Sequence, residues 1–207
     1  MRPAGAGPLP GALDACWSLL AYQGEARELV ARLKYRNDRA ALAWLAGGMA
    51  TLVEPPAGVV VTWAPTGDRR RRRRGFDQAE LLAAAVARRW RVPCRRLLGR
   101  APGPAQTGLT LAARRQGPSF EPPRARLPAP VIVVDDVVTT GSTLTAAARA
   151  LRAAGAPWVG ALTAARTPRV ADFRPLPIPS LPLSVPIAPP DVETSLKFRG
   201  QVADVQQ

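Results

Sequence analysis

Apolar residues recur at helical spacing along the first quarter of the chain. From Gly24, the positions Ala26, Leu29, Val30 and Leu33 share one face with charges between them, which predicts a helix. A second stripe, Leu42, Leu45, Ala46 and Met49, predicts a helix over 38–52 with Asp38 as its cap. Pro55, Pro56 and Gly58 end it. The period then changes. Residues 59–63, Val-Val-Val-Thr-Trp, form a β-branched run that predicts a short buried strand. Asp77, Glu80 and the apolar positions Leu81, Leu82, Ala85 and Val86 predict a third helix over 77–90, capped by Asp77. Residues 91–106 show no period, 109–115 suit a short helix, and 117–130 hold five prolines that imply an extended crossing.

The clearest strand is 131–134, Val-Ile-Val-Val, which runs into Asp135 and Asp136. A hydroxyl-rich loop, an alanine-rich helix to Ala154, the terminator Gly155 and a further strand over 158–164 follow. Strand, loop, helix and strand in that order predict an α/β fold with a mostly parallel central sheet and right-handed crossovers. The lead-in over 1–20 reads as flexible, and 21–169 as the folded domain. The tail over 170–207 carries seven prolines between 175 and 190 and reads as polyproline II, disordered chain or a docking segment.

Composition narrows the chemistry. The 207 residues contain no histidine, which excludes Ser-His-Asp and Cys-His catalysis and any His-containing zinc site. Cys16 and Cys94 make neither a disulfide framework nor a CxxC motif and fit a reduced, cytoplasmic compartment. Lys and Arg total 29 against 15 acids, for a net charge of +14, and only Lys34 and Lys197 are lysines. That balance favours polyanionic partners, although an arginine-rich composition produces the same count without one. No apolar run approaches a membrane span, and the N-terminal residues lack the pattern of a signal peptide.

The chemistry concentrates at one junction. Asp135 and Asp136 stand where a buried strand ends, the usual ligand edge of an open α/β sheet. Thr139, Thr140, Gly141, Ser142 and Thr143 then lead into a helix start, offering hydroxyls and unsatisfied N–H groups to a phosphate. Carboxylates beside a phosphate need a polyol or a metal, and a sugar phosphate supplies the polyol. The plainer alternative is that the acids close a turn and the hydroxyls cap a helix. The loop is neither a Walker A motif nor a GxGxxG turn.

At these residues the chain resembles the type I phosphoribosyltransferases, whose signature for phosphoribosyl pyrophosphate (PRPP) is a strand, an acidic pair and a Thr/Gly/Ser-rich loop. Tyr22-x-Gly24, Leu33-Lys34-Tyr35, Arg74-Gly75-Phe76-Asp77-Gln78-Ala79, Gln106-x-x-Leu109, Arg114-Arg115 and Phe120 narrow the resemblance to the ComF family of competence-associated proteins. The likeness spans about 20–167. It implies a phosphoribosyltransferase-like fold that binds PRPP with Mg²⁺ held mainly by substrate oxygens. It further implies pentosyl transfer with pyrophosphate release, although no residue names the acceptor. Asp135 and Asp136 would hold the ribose hydroxyls, and Pro65 and Thr66 would receive pyrophosphate with Arg74 beside it. Three departures stand out. The family's four-cysteine zinc segment is reduced to Cys16, so no zinc is expected; Asp77 replaces an asparagine; and an asparagine near Gly117 is missing.

Six consecutive arginines, Arg69 through Arg74, precede Gly75. They admit three readings: a solvated loop, a hood that stabilises departing pyrophosphate, or a contact for single-stranded nucleic acid. The last makes the chain a DNA-uptake factor with the fold kept as a binding or sensing module.

Overall fold

A computed structural model describes residues 11–36, 38–67, 75–100 and 118–168. The first ten residues, the arginine run, the short helix expected over 109–115 and the proline-rich tail lie outside these residues. In chain order the elements are β1 (Ala15–Ala21), α1 (Gly24–Arg36), α2 (Arg39–Ala50), β2 (Val60–Trp63) and α3 (Gln78–Trp90). They continue with β3 (Gly99–Arg100), β4 (Phe120–Glu121), β5 (Val131–Val138), α4 (Ser142–Ala153) and β6 (Val159–Arg166).

Four strands form one parallel sheet in the order β1-β6-β5-β2. The most apolar strands take its centre, because parallel strands covered on both faces have no solvent side for polar residues. Every residue of β6 is buried, as are Val131 through Val134 of β5. Ile132, Val134 and Leu162 pack with α1, α2 and α3, whereas Val131, Val133 and Ala161 pack with Leu144, Ala147, Ala148 and Leu151 of α4. The edge of β2 is extended by the chain at 93–95: Val61 N–H donates to the Pro93 carbonyl at 2.9 Å, and Arg95 N–H to the Val61 carbonyl at 2.9 Å. β3 and β4 form a separate antiparallel pair within stretches expected to lack regular structure.

The expected caps are in place. Asp38 accepts from the N–H groups of Ala40 and Ala41 at the start of α2, and Asp77 accepts from Ala79 at the start of α3.

The flexible lead-in expected over 1–20 is corrected by β1. Residues 15–21 form an edge strand paired with β6, from Ala15 opposite Gly160 to Ala21 opposite Arg166. The alternation that marks a half-buried strand is hard to see in the sequence because its buried positions, Cys16, Ser18 and Leu20, include a hydroxyl. That hydroxyl is satisfied inside the sheet, with Ser18 Oγ 2.8 Å from Thr163 Oγ1. Arg166 reaches the same seam, donating to Ser18 Oγ at 3.4 Å and to Cys16 Sγ at 3.3 Å. β5 is also longer than expected, continuing through the acidic pair to Val138.

Candidate functional site

Three elements converge at the C-terminal end of β5. The strand carries Asp135 opposite Thr163 of β6, with Asp136 next to it. Asp135 Oδ1 accepts from the Asp136 N–H at 2.8 Å, which fixes one oxygen of the first carboxyl against its own strand. Burial pushes the Asp135 carboxyl well above the usual carboxylate range, and the neighbouring Asp136 charge raises it further. Asp77 adds a smaller push in the same direction, while Lys34 opposes it.

Asp136 is paired. Lys34, near the end of α1, brings its Nζ to 3.1 Å from Asp136 Oδ2. The backbone carbonyl of Lys34 accepts from Gln78 Nε2 at 3.5 Å, so the start of α3 is tied to the same residue. Gln78 itself is buried.

The loop after β5 turns sharply into α4. Gly141 has φ of +79°, the left-handed region where a Cβ is strained, and serves as N-cap without a side chain to cap the helix. Thr139 and Thr140 are exposed, whereas Ser142 and Thr143 are half-buried. Within the loop, Thr140 Oγ1 donates to Ser142 Oγ at 3.1 Å and accepts from the Ser142 N–H at 3.4 Å. A helix start without an acidic cap presents N–H donors and a partial positive charge, the chemistry that holds a phosphate.

The loop after β2 approaches from the neighbouring strand. Ala64 N–H donates to the Val134 carbonyl at 3.1 Å, which anchors Pro65 and Thr66 beside β5. Thr66 is turned toward α3: its N–H donates to Asp77 Oδ2 at 2.8 Å and its hydroxyl to Asp77 Oδ1 at 3.2 Å. Asp77 therefore caps α3 and clamps this loop at once. Arg100 NH1 donates to the Pro65 carbonyl at 3.3 Å.

The fold thus gathers Asp135, Asp136, Thr139, Thr140, Gly141, Ser142 and Thr143 on one strand–loop–helix junction, with Pro65 and Thr66 on the adjoining strand's loop. Arg74 lies outside the described residues. Sequence pattern gave no individual role to Lys34 or Arg100, and it marked Asp77 only as a cap. For Lys34 a signal existed: it is one of two lysines among 29 basic residues. For Arg100, one arginine among many, none did. Among the described residues, no three His, Cys, Asp or Glu side chains come together as a metal cage. Cys16 and Cys94 are free thiols, and burial raises both above their usual range.

The sequence model of the family described as "Phosphoribosyl transferase domain" matches residues 128–172, the segment that contains β5, the loop, α4 and β6. No curated protein matches the chain. Among solved structures, the chain is similar to one described as the allosteric regulatory enzyme of purine biosynthesis. The two share 20% identity at a TM-score of 0.45, over 65% of this chain and 30% of that one. It is also similar to orotate phosphoribosyltransferase from Aeropyrum pernix, at 19% identity and a TM-score of 0.36. That match covers 63% of this chain and 74% of that one. The chain thus spans less than a third of the first of these two.

Proposed function

We propose that this chain is a phosphoribosyltransferase-like protein of the ComF kind, binding PRPP or a related ribose phosphate at the β5–α4 junction. The observation that carries the reading is a carboxylate pair on a mostly buried strand, followed after a short loop by a helix start whose N-cap is a left-handed glycine. Acids alone would repel an anion, and a bare helix start alone would bind any anion; together they suit a phosphate attached to a polyol. The match of residues 128–172 to the phosphoribosyl transferase domain supports the same reading.

In this proposal Thr139, Thr140, Gly141, Ser142 and Thr143 cradle the 5-phosphate, and Asp135 and Asp136 accept from the ribose hydroxyls. Pyrophosphate lies toward Pro65, Thr66 and Arg74, where departing negative charge would meet guanidinium. Mg²⁺ would travel with the substrate's oxygens, as it commonly does with phosphates. Zinc has no part in the proposal. The reaction class is pentosyl transfer to an acceptor with release of pyrophosphate, in the reduced, cytoplasmic setting that the free thiols suit. No helix among the described residues is long and apolar enough to cross a membrane.

Calorimetry with PRPP and Mg²⁺ tests the proposal. Asp135→Asn combined with Asp136→Asn should weaken binding at least about 100-fold, the scale of two charge-assisted hydrogen bonds. The fold, read by circular dichroism, should persist. Unchanged affinity in the double variant would sink the sugar-phosphate assignment.

A further inference from the structure

Lys34 sits where α1, α3 and β5 meet. Its ammonium stands 3.1 Å from Asp136 Oδ2, with the two side chains only 20% and 18% exposed. Its carbonyl is held by Gln78, so the main chain behind the ammonium is fixed to the first residue of α3. Asp136 and, more weakly, Asp77 raise the Asp135 carboxyl here, and Lys34 acts on it in the opposite direction. Without it, the adjacent carboxyl groups of a half-buried site would meet each other's repulsion with less to offset it.

We propose that Lys34 is the positioning residue for the ribose end of the site, holding the Asp136 carboxylate aimed so that it accepts from a ribose hydroxyl. The inference rests on the ribose phosphate reading above and adds a residue to which that reading gave no role. A lysine suits the task better than the arginine used almost everywhere else in this chain. Its compact ammonium engages one carboxylate oxygen, Oδ2, and leaves Oδ1 to a ligand. A guanidinium fork tends to take both oxygens.

The test compares three ligands: ribose 5-phosphate, 2-deoxyribose 5-phosphate and pyrophosphate. Wild-type protein should bind ribose 5-phosphate more tightly than its 2-deoxy analogue. Lys34→Met should cost about tenfold in ribose 5-phosphate affinity, the scale of one charge-assisted hydrogen bond. The deoxy analogue should lose less, and pyrophosphate affinity should change less than about twofold, a shift below that scale. Lys34→Arg should recover part of the loss. In an Asp136→Asn background, Lys34→Met should have no further effect, because the two residues act as one unit. A merely structural lysine would weaken all three ligands together, and that result would overturn the inference, as would full additivity with Asp136→Asn. If wild-type protein does not distinguish ribose from deoxyribose, the ribose reading itself fails and this inference with it. If wild type distinguishes them and Lys34→Met does so equally well, only the role of Lys34 falls.

Discussion

In the proposed site, Asp135 illustrates how a single residue sets ligand binding against stability. Burial and the charge of Asp136 both raise its carboxyl above the ordinary range, so the folded protein holds that proton more tightly than the unfolded chain does. The sign follows from linkage: where the folded state binds more protons, stability falls as pH rises. The loss begins near the unfolded carboxyl value of about 3.9 and continues up through the raised folded value. Replacing Asp135 by Asn removes the charge but keeps an oxygen that can accept from the Asp136 N–H. Thermal unfolding of Asp135→Asn should therefore show a higher midpoint than wild type at pH 7, by about 2–4 °C for each kcal/mol relieved. The gain should vanish below about pH 4, where both states of the wild-type residue are protonated. An equal gain at both pH values would assign the effect to packing rather than to charge. The same variant should bind ribose phosphate worse, the trade common at binding sites.

At the scale of elements, the packing between β6 and its neighbours depends on a missing side chain. A Cβ built at Gly160 would fall inside the van der Waals limit of the Trp158 ring and lie 3.1 Å from the ring of Trp17. Those two rings pack on each other at 6.2 Å between centroids. Gly160→Ala should cost about 1–3 kcal/mol in urea unfolding, as overpacking of a buried site does. Gly47→Ala in α2 would meet only the guanidinium of Arg89 at 3.9 Å, and should be neutral or stabilising by up to about 1 kcal/mol. Equal effects at the two glycines would contradict the packing argument. The same elements show what sequence makes legible. α1, α2 and α3 were readable because apolar stripes and acidic caps are local signals, and β5 because four β-branched residues stand together. β1 was not readable: Ser18 lies on its buried face, and its partner Thr163 is 145 residues away. The strand–loop–helix core of the site was likewise contiguous and therefore visible. The pairings of Lys34 with Asp136, and of Asp77 with Thr66, join separate elements, and only the tertiary fold brings them together.

The whole molecule carries a charge of +14, and its distribution is uneven. Between Leu81 and Phe120 there is no acidic residue. Arg88, Arg89, Arg91, Arg95, Arg96 and Arg100 are all exposed there, with Arg100 turned toward the loop at Pro65. Such a field draws any polyanion, so binding alone does not separate a PRPP site from a nucleic-acid surface. The salt dependence and the position of the arginine do separate them. Arg74 directly precedes Gly75 and the helix capped by Asp77, whose carboxylate clamps Thr66 beside the candidate site. Arg69 through Arg72 stand farther along the chain from Asp77. Arg74→Ser should lower PRPP affinity by about tenfold, the scale of one charge-assisted hydrogen bond, with little change in the salt slope for single-stranded DNA. Serine at Arg69 through Arg72 should do the reverse. The slope of log affinity for single-stranded DNA against log salt should flatten by about 0.7 for each phosphate that is no longer neutralised. PRPP affinity should fall only slightly with those four replaced. Titrations of both sets across salt concentrations check the split. If Arg74→Ser keeps normal PRPP affinity yet abolishes DNA binding, the ranking reverses, and the arginine run belongs to a polymer rather than to pyrophosphate.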